Sequence, residues 1–224
     1  MKAMSIAVLA GLMAASAASA QVFVSPTASA PWQGFMNVFN LPSAGGAFQF
    51  GSGWGVPDLN VSFNNPANQF TFSPNTIGDP NPYWYTPAGG PGAAGNKIMN
   101  AVLYVQDDSL VGQTVRFQGS ILSNTLTSAH TGTVFIRDFA PDYSSVVETS
   151  IPVTVGNFDL ALATNPAPGR HVQYGFSMTG VNVWSTDVAQ FGSFVVSTAA
   201  IPGPASAALL AIGGLMATRR RRQA

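Results

Sequence analysis

The sequence predicts an all-β protein: a single antiparallel β-sandwich, jelly-roll-like, flanked by an N-terminal signal helix and a C-terminal hydrophobic helix. Three observations carry that prediction. Sixteen prolines and 23 glycines in 224 residues reverse the chain too often for long helices and suit many short strands. Apolar residues recur at every second position in Val172-Gln-Tyr174-Gly-Phe176-Ser-Met178, with His171, Gln173 and Ser177 on the other face; period two is the strand signature. Between residues 21 and 200 no apolar stripe repeats with the helical period.

Taken in order, the expected strands are residues 35–39, 59–63, 70–72, 98–105, 114–118, 133–139, 146–155, 158–162, 172–178 and 191–196, separated by clusters of turn formers. About ten short strands with regular turn signals indicate a sandwich or jelly roll. Gly51-Ser-Gly53-Trp-Gly55 and Gly89-Gly90-Pro91-Gly92 lack the spacing, the following helix and the lysine of a phosphate cradle. Trp54 and Trp184 fall in loops or at strand ends, and His130 falls in the loop Ser128-Ala-His-Thr-Gly132. No linker or internal repeat divides residues 21–200, so one domain is expected.

Only 8% of residues are charged, and 46% are apolar, a balance that neither disorder nor a highly charged nucleic-acid binder shows. The formal net charge of zero hides an asymmetry. Residues 21–200 keep Lys97, Arg116, Arg137 and Arg170 against nine carboxylates, a net of −5. Such a domain repels phosphate backbones, so no nucleic-acid partner is expected. The absence of cysteine removes disulfides, thiolate metal sites and cysteine nucleophiles. A domain of this size buries enough apolar surface to fold without such staples.

The two ends carry addresses. Lys2 supplies a charge, residues 6–15 form an apolar run, and Ala18 and Ala20 place small side chains three and one residues before a cut at Gln21. That layout is a secretory signal peptide over residues 1–20, read by a signal peptidase; the competing reading is a buried N-terminal helix. Residues 201–224 begin Ile-Pro202-Gly203-Pro204, continue through 13 apolar residues, and end in Arg219, Arg220, Arg221 and Arg222 before Gln-Ala. As a helix the apolar run spans about 20 Å, short of the ~30 Å hydrocarbon core. The arginine block would stay on the cytoplasmic side.

This tripartite tail resembles the PEP-CTERM sorting signal, with glycine in place of the usual acidic residue between the prolines. The resemblance implies processing by an exosortase-like membrane enzyme, after transient anchoring in the inner membrane. A plain short transmembrane anchor is the alternative. Both put the middle domain in the envelope, at the cell surface or outside the cell.

The strand order from residue 98 to 197 is similar to that of carbohydrate-binding jelly-roll modules. That resemblance implies a sugar-binding surface and, in some modules, a structural calcium ion. Calcium is a hard cation held by carboxylates and carbonyls, and Asp107-Asp108 is the most concentrated carboxylate pair. No other cofactor is expected. Flat rings suit stacking against sugars, which singles out Tyr83, Trp84 and Tyr85 in a loop, together with Arg116 and Gln118 on a polar strand face. His171 and Gln173 are expected to line the same open sheet as Arg116 and Gln118.

Catalytic chemistry finds little support. Residues 21–200 hold a single glutamate, Glu148, two distant histidines and no Gly-x-Ser-x-Gly elbow. The expectation is therefore a non-enzymatic envelope or extracellular-matrix protein of structural or adhesive type. A carbohydrate-binding module attached to exopolysaccharide is the alternative, and a secreted hydrolase stands third.

Overall fold

A computed structural model describes residues 21–197; the predicted signal segment, Pro202-Gly203-Pro204, the short apolar helix and the arginine block lie outside those residues. The described chain is mostly β. Its strands in order are β1 (Gln21–Val24), β2 (Gln33–Asn40), β3 (Phe48–Trp54), β4 (Val61–Asn64), β5 (Gln69–Phe72), β6 (Tyr85–Thr86), β7 (Ala94–Gly95), β8 (Lys97–Gln106), β9 (Thr114–Asn124), β10 (His130–Phe139), β11 (Val146–Pro152), β12 (Gly156–Ala163), β13 (His171–Val181) and β14 (Phe194–Ser197). Among the described residues, helix is limited to 3-10 turns of three or four residues.

Two six-stranded sheets face each other. Sheet B runs β11-β10-β13-β8-β2-β3, antiparallel throughout. Sheet A is built on β9. Strand β12 pairs along one side of β9, while β1 and β14 share the other side, and β5 and β4 follow β14. The β1–β9 pair is parallel. From β8 onward the chain alternates between sheets, apart from the β10–β11 hairpin.

Alternation decides which residues meet between the sheets. Met99, Ala101, Leu103 and Val105 of β8 point inward, as do Val172, Tyr174, Phe176 and Met178 of β13; all are buried. From sheet A come Val115, Phe117 and Ile121 of β9, Phe158, Leu160 and Leu162 of β12, and Phe194 and Val196 of β14. Phe176 is fully buried at the centre of an aromatic cluster, with ring centroids 5.1 Å from Phe70, 5.4 Å from Phe117 and 5.8 Å from Phe158. Edge-to-face contacts of this kind add to the gain from burial itself.

The strands differ from the sequence reading where glycine hides the alternation. Residues 48–54 form a full strand, β3, although Gly51 and Gly53 suggest a loop. Strand β9 continues past residue 118 to Asn124 through Gly119, where a Cβ would press on the Phe158 ring. Residue 191 closes a 3-10 turn, and β14 starts only at Phe194. Leu59 likewise closes a 3-10 turn, and its buried side chain follows from that turn.

His130 opens β10 and is buried, instead of standing in a loop. Its Nε2 lies 2.9 Å from the Val181 carbonyl, and its Nδ1 is buried with no partner. Burial pushes the imidazole pKa down, against a smaller opposing effect of the Val181 carbonyl. The folded state therefore favours the neutral ring. The stability that follows is complete above the unfolded pKa near 6.5 and is lost as pH falls through that value towards the lower folded one. We expect the drop in Tm between pH 7.5 and pH 5 to be smaller in His130→Gln than in the parent protein. An identical drop in both would show that His130 does not contribute.

Candidate ligand-binding face

The outer face of sheet B gathers the side chains that alternation turns away from the core. Four cross-strand rows lie side by side on it. Gln106, Gln173, Arg137 and Glu148 form one. Next comes Tyr104 of β8, Gly175 of β13 and Phe135 of β10. The third is Phe35, Val102, Ser177 and Thr133, and the fourth Asn37, Asn100, Thr179 and Thr131. Gly175 leaves a dip between two rings. A Cβ there would fall on the Leu103 carbonyl, so no other residue keeps this backbone approach.

The rows enclose a groove of about 440 Å³ lined by Phe35, Asn37, Val102, Tyr104, Arg137, Phe139, Tyr143 and Gln173. Hydrogen bonds fix its polar members. Asn37 donates through Nδ2 to Asn100 Oδ1 at 3.2 Å, and Asn100 Nδ2 donates to Thr179 Oγ1 at 2.7 Å. Gln173 Nε2 donates to Gln106 Oε1 at 3.0 Å, and the Tyr143 hydroxyl donates to the same oxygen at 3.3 Å. The Arg137 guanidinium lies 4.0 Å from the Phe135 ring centroid, while its Nε donates to Glu148 Oε2 at 2.6 Å. A cation so placed over a ring is held flat.

Tyr143 forms the groove's end wall. It sits in a turn at φ 58°, with its ring stacked on His171 at 4.6 Å and 7°. His171 Nδ1 in turn lies 2.8 Å from Asp108 Oδ2. Asp142 holds the turn by accepting from the Ser144 hydroxyl at 2.6 Å and the Ser144 N–H at 3.0 Å, contacts that lower its carboxyl pKa. Burial, with a contribution from Tyr143, raises the Tyr104 phenol, so its hydroxyl stays protonated at neutral pH. The groove thus offers flat rings, amides and hydroxyls, and its charges come in pairs.

The residues singled out from sequence are spread over three places. Tyr85 is fully buried, its hydroxyl 2.8 Å from the Ile77 carbonyl and 3.0 Å from that of Val183. Trp84 packs against the core and meets Phe50 at 6.3 Å. Tyr83 stays exposed, with Lys97 Nζ 4.0 Å from its ring centroid. Arg116 and Gln118 lie on the outer face of sheet A, where both donate to Asp159. His171 and Gln173 lie on sheet B, so the expected single polar face divides between the two layers.

Asp107 and Asp108 part company as well. Asp107 Oδ1 caps the next turn by accepting from Ser109 N at 3.0 Å and Ser109 Oγ at 2.6 Å, while Asp108 serves His171. Among the described residues no three His, Asp or Glu side chains gather where they could hold a metal ion. Tyr104 and Arg137 escaped the sequence reading. Their parity on β8 and β10 puts them outward, but nothing in the sequence says that β13 lies between those strands.

No family model, no curated protein and no solved structure matches the chain.

Proposed function

We propose that this chain is an exported envelope or extracellular-matrix protein of adhesive type whose sheet B outer face binds carbohydrate, an exopolysaccharide being the partner. One observation carries the reading: Tyr104 lies in a groove beside Arg137 and Gln173, with Phe35, Phe139 and Tyr143 around it. Sugars present apolar C–H faces and hydroxyl rims, which ring stacking and fixed amides complement together. A groove of 440 Å³ falls in the range typical of ligand sites. The alternation of strands between two sheets fits a jelly-roll-like sandwich of the carbohydrate-binding kind.

The non-enzymatic reading is supported by the state of the nearby carboxylates. Glu148 is tied to Arg137 and Asp108 to His171, whereas glycoside hydrolysis needs one free carboxylate and one kept protonated. Export rests on the signal-like residues 1–20 with the cut after Ala20. Sorting rests on Pro202-Gly203-Pro204, the apolar run and the arginine block, which an exosortase-like enzyme would process.

The test is a glycan array with the purified protein and with Tyr104→Ala. Loss of a central ring from an interface typically costs about 2 kcal/mol, so binding is expected to weaken roughly thirtyfold while the Tm stays within a few degrees. Silence of the parent protein across the array would remove the sugar-binding reading and leave display alone.

A further inference from the structure

The groove does not end at Phe35. Across the β2–β3 pair, Phe35 faces Gly53, and Gly53 also lines a second cavity of about 560 Å³ with Trp54, Asp58, Asn60, Ile77 and Gly78. One cross-strand pair therefore joins the two cavities over the edge strand of sheet B. Glycine keeps that junction open. A Cβ at Gly53 would have its nearest neighbour 4.0 Å away, and a Cβ at Gly78 would meet nothing within 4 Å. Both have ordinary backbone angles, so a side chain there projects into open space without strain. At Gly51, by contrast, a Cβ would press on Asn37 and Phe35; glycine there lets those two groove residues lie down towards the edge.

The charges along this path say what can lie on it. In the groove Arg137, the one positive side chain among the lining residues, is paired with Glu148. In the second cavity the Asp58 carboxylate stands with no positive side chain among the lining residues. Residues 21–200 carry a net of −5. A polyanion would be repelled at long range and would find no unpaired cation on arrival.

Resting on the sugar-binding reading, we infer that the two cavities form one continuous track for several successive residues of a neutral polysaccharide, which crosses the β3 edge at Gly53. The second cavity, with Trp54 and Asn60, holds the sugars beyond those stacked at Tyr104.

The test uses calorimetry with neutral oligosaccharide ladders of two to six units (cello-, laminari-, xylo- and manno-series) and an acidic uronic-acid ladder of the same lengths, at low and high salt. Affinity for the recognised series is expected to rise about tenfold between the dimer and the hexamer, and to change less than about twofold between 20 and 500 mM salt, as for a ligand without charge. Gly53→Leu and Gly78→Leu each narrow the track, and each should abolish the gain with length at unchanged Tm; the dimer affinity should stay unchanged in Gly78→Leu, which lies away from the Phe35 wall of the groove. Two independent positions guard against a local folding defect in either.

Equal affinity for dimer and hexamer, or hexamer binding untouched in both variants, would overturn the track while the groove itself stands. Preference for an acidic oligosaccharide that salt weakens would overturn the neutral assignment. If no series binds at all, both the track and the sugar-binding reading fall.

Discussion

Phe176→Ala is expected to destabilise the protein by about 4 kcal/mol, the middle of the range for truncating a buried phenylalanine. The side chain is completely buried in β13 and meets Phe70, Phe117, Phe158 and Phe194 of sheet A as well as Trp32. These neighbours come from several strands, so no single one can relax into the hole. Since whole domains are stable by only about 5–15 kcal/mol, the variant should sit near the edge of folding. A urea titration reads this as a lowered midpoint with unchanged slope. Phe176→Leu, which keeps most of the volume, should lose far less. Phe48→Ala, at a ring 57% exposed on the edge strand β3, should change stability by only about 0.5 kcal/mol. Equal losses at the two phenylalanines would contradict the placement of the core.

The second large effect is electrostatic. Asp138 is 1% exposed, and its Oδ1 accepts from Arg170 Nε at 2.7 Å while Oδ2 accepts from Asn165 N at 2.7 Å. Arg170 also donates through Nη2 to the Asp138 carbonyl at 2.9 Å. Arg170→Ala would leave a buried carboxylate with one hydrogen bond and no counter-charge, a loss of about 3–5 kcal/mol. Replacing both partners together, as in Asp138→Leu with Arg170→Leu, should restore much of that loss, because the penalty comes from the orphaned charge more than from the missing attraction. Thermal unfolding of Asp138→Leu, Arg170→Leu and the double variant measures the coupling. Additive losses would mean that the pair does not act as a unit. Asp138 stands between Arg137 and Phe139 on β10, so Arg170→Ala should also loosen the strand that presents two groove residues.

The strands easiest to read in the sequence were those whose polar and apolar residues alternate, such as β13 and β9. Their apolar parity survives into the structure almost unchanged. Strand β3 was illegible because Gly51 and Gly53 carry no side chain to alternate, and the reason for those glycines lies across the sheet in Phe35 and Asn37. Strand β1 is four residues long, too short for a periodic signal, and it is held by a partner some ninety residues away. For the candidate site, Gln173 and His171 share one face of β13, as their spacing predicts. The sequence could not say that Arg116 and Gln118, with the same polar parity, belong to the other layer. Parity is local; the order of strands in a sheet is set by long-range packing. The Tyr83-Trp84-Tyr85 triplet shows the converse. Three adjacent aromatics attract attention in a sequence, yet two of them are occupied in packing against Ile77, Val183 and Phe50.

Strand β14 has a consequence for the order of events during synthesis. Only four residues long, it is wedged between β9 and β5, and its Phe194 and Val196 have no exposed surface. Until residue 197 is available, β5 and β4 have no route of hydrogen bonds to the rest of sheet A, and the aromatic cluster around Phe176 lacks one of its rings. A nascent chain therefore has no closed core to settle into until nearly all of the domain has been made, and it stays threadable up to that moment.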